Sequence, residues 1–150
     1  MYWILLGIAI VALIAACLIV PVLRRRRDEN NLIKARQLFQ LRREWLEARF
    51  VTLASQSGKP RGLAWVQCDF DDNICFARDR STGQLHCFVG VTVSFEAIEG
   101  GGMEDVEAVG NLRAATAVFG YDGKEWGSEG RTIFNLNPDE AIEHFQAQPV

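Results

Sequence analysis

Residues 1–23 carry no charged side chain, and Arg24-Arg25-Arg26-Arg27 follow directly. An amphipathic helix packed on a globular core carries a polar stripe, and this run has none. At about 1.5 Å per residue it reaches about 34 Å, enough to cross a hydrocarbon layer of about 30 Å. The pattern predicts a transmembrane helix. Tyr2 and Trp3 stand where an interfacial aromatic anchor belongs, and Pro21 falls in the last predicted turn. The arginine run places the C-terminal side in the cytoplasm and the N-terminus outside, a single-pass arrangement in the cell membrane. A cleaved signal peptide has its positive charge before the apolar stretch, the reverse of the order here. Ile14-Ala15-Ala16-Cys17 resembles a lipoprotein cleavage box, with Cys17 as the acylated residue. The apolar run continues six residues past it into the arginines, so small residues packed within a membrane helix are the favoured reading.

The rest of the chain divides by charge. Residues 24–54 hold nine basic and four acidic residues, a net of +5; residues 55–150 hold seven basic and fifteen acidic, a net of −8. The expected organisation is an anchor at 1–23, a basic juxtamembrane helix at 24–55 and an acidic domain at 56–150. An acidic domain repels phosphates, which argues against nucleic-acid binding. The lipid bilayer is one predicted partner, since Arg24–Arg27, Lys34 and Arg36 each add about 1 kcal/mol of attraction near anionic lipid.

Leu32, Ala35, Phe39, Leu46, Phe50 and Leu53 recur at helical spacing, with Leu38, Leu41 and Trp45 widening the stripe. Asp28-Glu29-Asn30 read as the start of this helix, and the Ser, Gly, Lys and Pro of residues 55–62 as its end. Its apolar face is expected to lie on a sheet, with pairing to a second copy or to lipid as the alternative.

Five strands are predicted, at about 63–70, 73–79, 84–98, 112–121 and 125–136. Asp71-Asp72-Asn73, Arg80-Ser81-Thr82-Gly83 and Asp122-Gly123 read as hairpin turns. Pairing Asp79 with Gln84 gathers Ile74, Phe76, Leu85, Cys87, Val89, Val91, Val93 and Phe95 on one face. Cys75, Ala77, His86, Thr92, Ser94 and Glu96 fall on the other. Closing the first turn adds Val66 and Cys68 to the apolar face. Asn137-Pro138-Asp139-Glu140 signals a last helix that turns Ala141, Ile142 and Phe145 inward. The predicted class is α+β, a long helix and a short one on an antiparallel sheet of about five strands. That outline is similar to cystatin-like and NTF2-like sheets.

Cys68, Cys75, His86 and Cys87 match no common zinc spacing, and the register divides them between two faces. No metal or cofactor is predicted, and the cysteines read as small buried hydrophobes. Cys75 and His86 are diagonal neighbours, so a nucleophilic dyad oriented by Asp69 is conceivable only if all three converge. The most suggestive segment is the loop over 99–111. Gly100, Gly101 and Gly102 could cradle phosphate, but Glu99, Glu104, Asp105 and Glu107 oppose it. The expectation is a non-enzymatic binding or interaction module that uses this loop on a protein partner or a second copy. The alternative is a small-ligand or enzymatic pocket on the sheet.

Overall fold

The computed structural model describes residues 2–145 and 147–150, apart from the side chains of Tyr2, residues 4–6 and 8–12, and Gln148. The elements are α1 (Tyr2–Gln56), β1 (Leu63–Asp79), β2 (Leu85–Ala97), a 3-10 turn (Glu107–Gly110), β3 (Arg113–Tyr121), β4 (Trp126–Phe134), α2 (Pro138–His144) and β5 (Ala147–Pro149). The fold is α+β. Its antiparallel sheet runs β4-β3-β2-β1-β5, four long strands plus a three-residue β5 paired to Ala77–Asp79. The chain forms two compact units, residues 1–37 and 38–150.

In the first unit, no helix among the described residues is long and apolar enough to cross a membrane. The expected span at 1–23 falls in part on side chains outside the description, Tyr2 among them. Trp3, Leu13, Ile14, Leu18, Ile19, Val20, Val22 and Leu23 are exposed. Asp28-Glu29-Asn30 lie inside α1 rather than at a helix start, and Pro21 is interior as well. Residues 22–56 contain no glycine or proline, and a capping residue acts only where the chain before it is not helical.

In the second unit, α1 buries Phe39, Leu46 and Phe50 completely against one sheet face. The Phe39 ring meets Phe76, Phe119 and Trp126 edge-on at 5.2–5.8 Å, and Phe50 meets Trp65, Phe70 and Phe119. Leu41 and Trp45 do not join them: they are 83% and 52% exposed. At about 100° per residue they stand about 200° and 240° around the helix from Phe39. The Arg49 guanidinium lies over the Trp45 ring instead, 5.6 Å from its centre.

The expected hairpin at Asp71-Asp72-Asn73 does not form. Residues 63–79 make one strand, and Phe70 pairs with Val91 while Ile74 pairs with Val89, so residues 71–73 bulge opposite Gly90 alone. Turn-forming residues suit a bulge as well as a hairpin. Arg43 of α1 selects the bulge, donating to the Asp71 carbonyl at 2.7 Å and to the Asp72 carboxylate at 3.4 Å. A second bulge between Trp65 and Gln67 pushes Val66 outward, 56% exposed, and gives its predicted core place to Trp65. The other two turns form as read. Asp79 and Gln84 pair, and the Asp122 carboxylate accepts the backbone N–H groups of Lys124 and Glu125 at 2.8 Å.

β4 contains a third bulge. Ala117 pairs with Thr132 and Phe119 with Ser128, which leaves residues 129–131 opposite Val118. Gly130, at φ +71°, turns toward α1, where a Cβ would come within 2.6 Å of the Ala54 nitrogen. The Ser128 hydroxyl accepts the Gly130 N–H at 3.1 Å, and Thr132 donates to the Gly130 carbonyl at 3.3 Å.

The sheet is buried on its second face too, at one end. There Ala77, Phe88 and Val118 pack with Ala141 and Ile142 of α2, beside Phe145. The helix begins at the expected capping box, with Asn137 and Glu140 exchanging side-chain and backbone bonds at 2.9 Å. Thr116 pins its approach by donating to the Leu136 carbonyl at 2.8 Å.

Candidate functional site

The Gly-acid loop carries its own anion. The Glu104 carboxylate is held below its usual range by backbone N–H groups, its own first and then that of Gly100, which donates to it, with Gly102 and Met103 adding less. The three glycines do not act as one cradle: the Gly100 N–H goes to Glu104, while the Gly101 N–H donates to the Ile98 carbonyl at 2.8 Å. Gly101 also rests on the turn before β1: a Cβ there would sit 2.8 Å from the Gly62 Cα. Glu99, Asp105 and Glu107 are exposed, Val109 is buried, and Arg113 reaches the Ala108 carbonyl at 3.4 Å. The segment is therefore a braced loop with three outward carboxylates. Among the described residues no three His, Cys, Asp or Glu side chains gather as a metal site. In the first unit Trp3 and Arg24 to Arg27 are exposed on α1, as is Cys17.

The cysteine–histidine arrangement does not assemble. Cys75 pairs across the sheet with Phe88, and its thiol faces Asp139 at 3.5 Å and Asn73 at 3.8 Å. Burial first, and then the Asp139 charge, raise its pKa, which is the opposite of nucleophile activation. Asp69 pairs with Thr92, because the hairpin that would have brought it near Cys75 is a bulge. Burial also pushes the Cys68 thiol up to about 12, with Asp69 and Glu47 adding to it, and raises Cys87 further above its ordinary value. All three read as inert thiols.

The position that register reasoning placed on the outer face, His86, has a different setting. His86 pairs with Gly120, and Gly120 with Gly127, so two adjacent strands offer no side chain beside the imidazole. A cleft of about 460 Å³ opens there, lined also by Asp79, Gln84, Asp122, Glu125, Trp126, Glu129 and Arg131. The β4 bulge positions its far wall: with Gly130 turned to α1, Glu129 and Arg131 fall on the opposite face. The Arg131 guanidinium stacks on Phe145, 4.1 Å from the ring centre. On the near wall the Asp79 carboxylate accepts the Ser81 hydroxyl and the backbone N–H groups of Ser81 and Thr82. These bonds hold its pKa at about 2. Burial lowers the pKa of His86; Asp79 and Glu129 oppose that shift and Arg131 reinforces it. Near neutral pH the ring is uncharged, with one N–H to donate and one lone pair to accept.

No protein-family model, curated protein or solved structure matches the chain.

The cleft was not among the sites read from the sequence. The signal for it was there in part: Asp122-Gly123 fixes Gly120 opposite Gly127. What was missing was the β2–β3 register that sets His86 beside them.

Proposed function

We propose that the chain is a single-pass membrane protein whose acidic domain is a small-ligand-binding module, with its site over His86. The observation that carries the binding reading is the His86–Gly120–Gly127 row. It gives a sheet face an open floor, with polar groups converging on a cleft of about 460 Å³, within the range of small-molecule sites. The anchor reading rests on the charge-free run 1–23, with its exposed apolar side chains from Leu13 to Leu23, and on Arg24–Arg27 beside it. It places the N-terminus outside, the domain at the cytoplasmic face, and the arginine run on anionic lipid.

The test is a thermal-shift screen of small molecules of every charge class on the full chain in micelles, repeated on Gly127→Leu. Nothing lies within 4 Å of a Cβ at Gly127, so leucine would fill the cleft without disturbing the core. Ligands that stabilise the parent and not the variant support the module; a screen with no variant-sensitive ligand rejects it. For the anchor, Thr82→Cys should react with an impermeant maleimide only after cells are opened. Reaction in intact cells would reverse the topology.

A second reading has its own observation. Glu99, Asp105 and Glu107 project from a loop that Glu104 braces, a fixed acidic surface for a basic protein partner or a second copy. Crosslinking in membranes tests it: neutralising those three carboxylates should remove a captured partner, and an unchanged set of partners would sink it.

A further inference from the structure

We infer that the cleft over His86 receives a small organic cation with a planar head, of the amidinium or guanidinium class; this rests on the ligand-cleft reading above. Shape is the first argument. A Cβ at Gly127 would meet nothing within 4 Å, while one at Gly120 would already touch Gln84 and His86. Strands lie about 4.8 Å apart, so a slot about one strand wide opens over Gly127, floored by peptide planes and bounded by the imidazole. A flat group can lie on such a floor. A bulky substituent on Gly120 would intrude, since even its Cβ would stand 3.4 Å from Gln84 and 3.8 Å from His86.

Charge is the second argument, and it is independent of the first. Four carboxylates line the slot, Asp79, Asp122, Glu125 and Glu129. Asp79 and Asp122 are ionised at neutral pH, and their turns lower both pKa values further, the Ser81 hydroxyl first for Asp79 and the Glu125 N–H first for Asp122. Glu125 shares its charge with Arg42, 3.4 Å away. The one cation among the lining residues, Arg131, faces the Phe145 ring, and His86 is neutral. The field inside is negative, so phosphates and carboxylates are rejected. Glu129 lies on the wall that the Gly130 bulge builds, where a carboxylate can take two parallel N–H groups of a planar cation. An ammonium is compact and strongly hydrated, and it matches a flat floor less well than a delocalised cation.

Three probes of one shape separate the outcomes: benzamidinium, benzamide and benzoate, titrated calorimetrically into the full chain in micelles. Benzamidinium is expected to bind about 10-fold or more tighter than benzamide, as a charge-assisted pair does over a neutral one, and benzoate not to bind. Glu129→Gln should weaken benzamidinium about 10-fold and leave benzamide unchanged. Gly127→Leu should abolish binding of both. Equal binding of benzamidinium and benzamide, both lost in Gly127→Leu, overturns the cation class and leaves the cleft standing. Tightest binding by benzoate overturns it as well. If benzamidinium fails to bind at millimolar concentration, the inference is wrong; the cleft reading falls with it only if the wider screen also yields no Gly127→Leu-sensitive ligand.

Discussion

Replacing Gly130 with alanine is expected to destabilise the domain far more than the same change at an open turn. Two costs add at this site. The backbone sits at φ +71°, and an L-residue there costs about 1–2 kcal/mol. The new methyl group would also lie 2.6 Å from the Ala54 nitrogen and 2.8 Å from the Leu53 carbonyl carbon, both backbone atoms of α1. Neither can rotate away, so the helix or the bulge must shift, at about 1–3 kcal/mol. The total is about 2–5 kcal/mol. For a unit spanning residues 38–150, where about 1 kcal/mol moves the midpoint by about 4 °C, the melting temperature should fall by about 8–20 °C. The comparison is Gly123→Ala. Gly123 has φ +99° with nothing within 4 Å of its Cβ, so it bears only the conformational cost, about 4–8 °C. Thermal melts of the full chain, followed by near-ultraviolet circular dichroism of the aromatic core, measure both. Equal losses in the two variants would refute the close contact between the β4 bulge and α1.

Phe39→Ala should cost about 3–5 kcal/mol in denaturant titrations, because the ring is fully buried among three aromatics, whereas Leu41→Gln should change stability by no more than about 0.5 kcal/mol. A loss at Leu41 comparable to that at Phe39 would place the helix the wrong way round. Asn137→Ala should cost about 1 kcal/mol by removing the capping box of α2, read as a lower denaturation midpoint with an unchanged slope. His86 provides a pH test. Its folded pKa lies below the unfolded value of about 6.5, so between the two the unfolded chain binds the extra proton. Stability should therefore fall as the pH drops from about 6.5 toward the folded value. His86→Gln should flatten that limb of the profile, and an unaltered limb would show that burial does not shift this histidine.

The features legible in the sequence were those that a few neighbouring residues decide. The Phe39–Leu46–Phe50 stripe, the Asp79–Gln84 turn, the Asp122-Gly123 turn and the Asn137–Glu140 box are all local, and each forms. The errors came where a distant residue chooses between two local options. Asp71-Asp72-Asn73 suits a hairpin or a bulge, and Arg43, far away in sequence, decides for the bulge. Val66 fits the alternation, yet the kink beside it gives the core to Trp65. Gly100 to Gly102 suggest an anion cradle, and only folding shows that Glu104 takes the Gly100 N–H while Gly101 bonds the Ile98 carbonyl. The cleft was the hardest to see. His86 and Gly120 belong to strands joined by the loop over 98–112, and no turn rule fixes register across a connection of that length.

The three bulges differ in a way that governs which length changes this sheet can absorb. At 71–73 and at 129–131 three residues face one, an excess of two, so the inside–outside alternation resumes unchanged on the far side. At Val66 the excess is one, and the alternation inverts. Removing two residues from either larger bulge would leave every flanking side chain on its own face. Removing one from either of those two would send a run of residues to the wrong face. At Val66 the deletion of that one residue would instead close the bulge and leave Leu63, Trp65, Cys68 and Phe70 on one face, so the bulge is what lets the strand carry an odd residue without losing its core side.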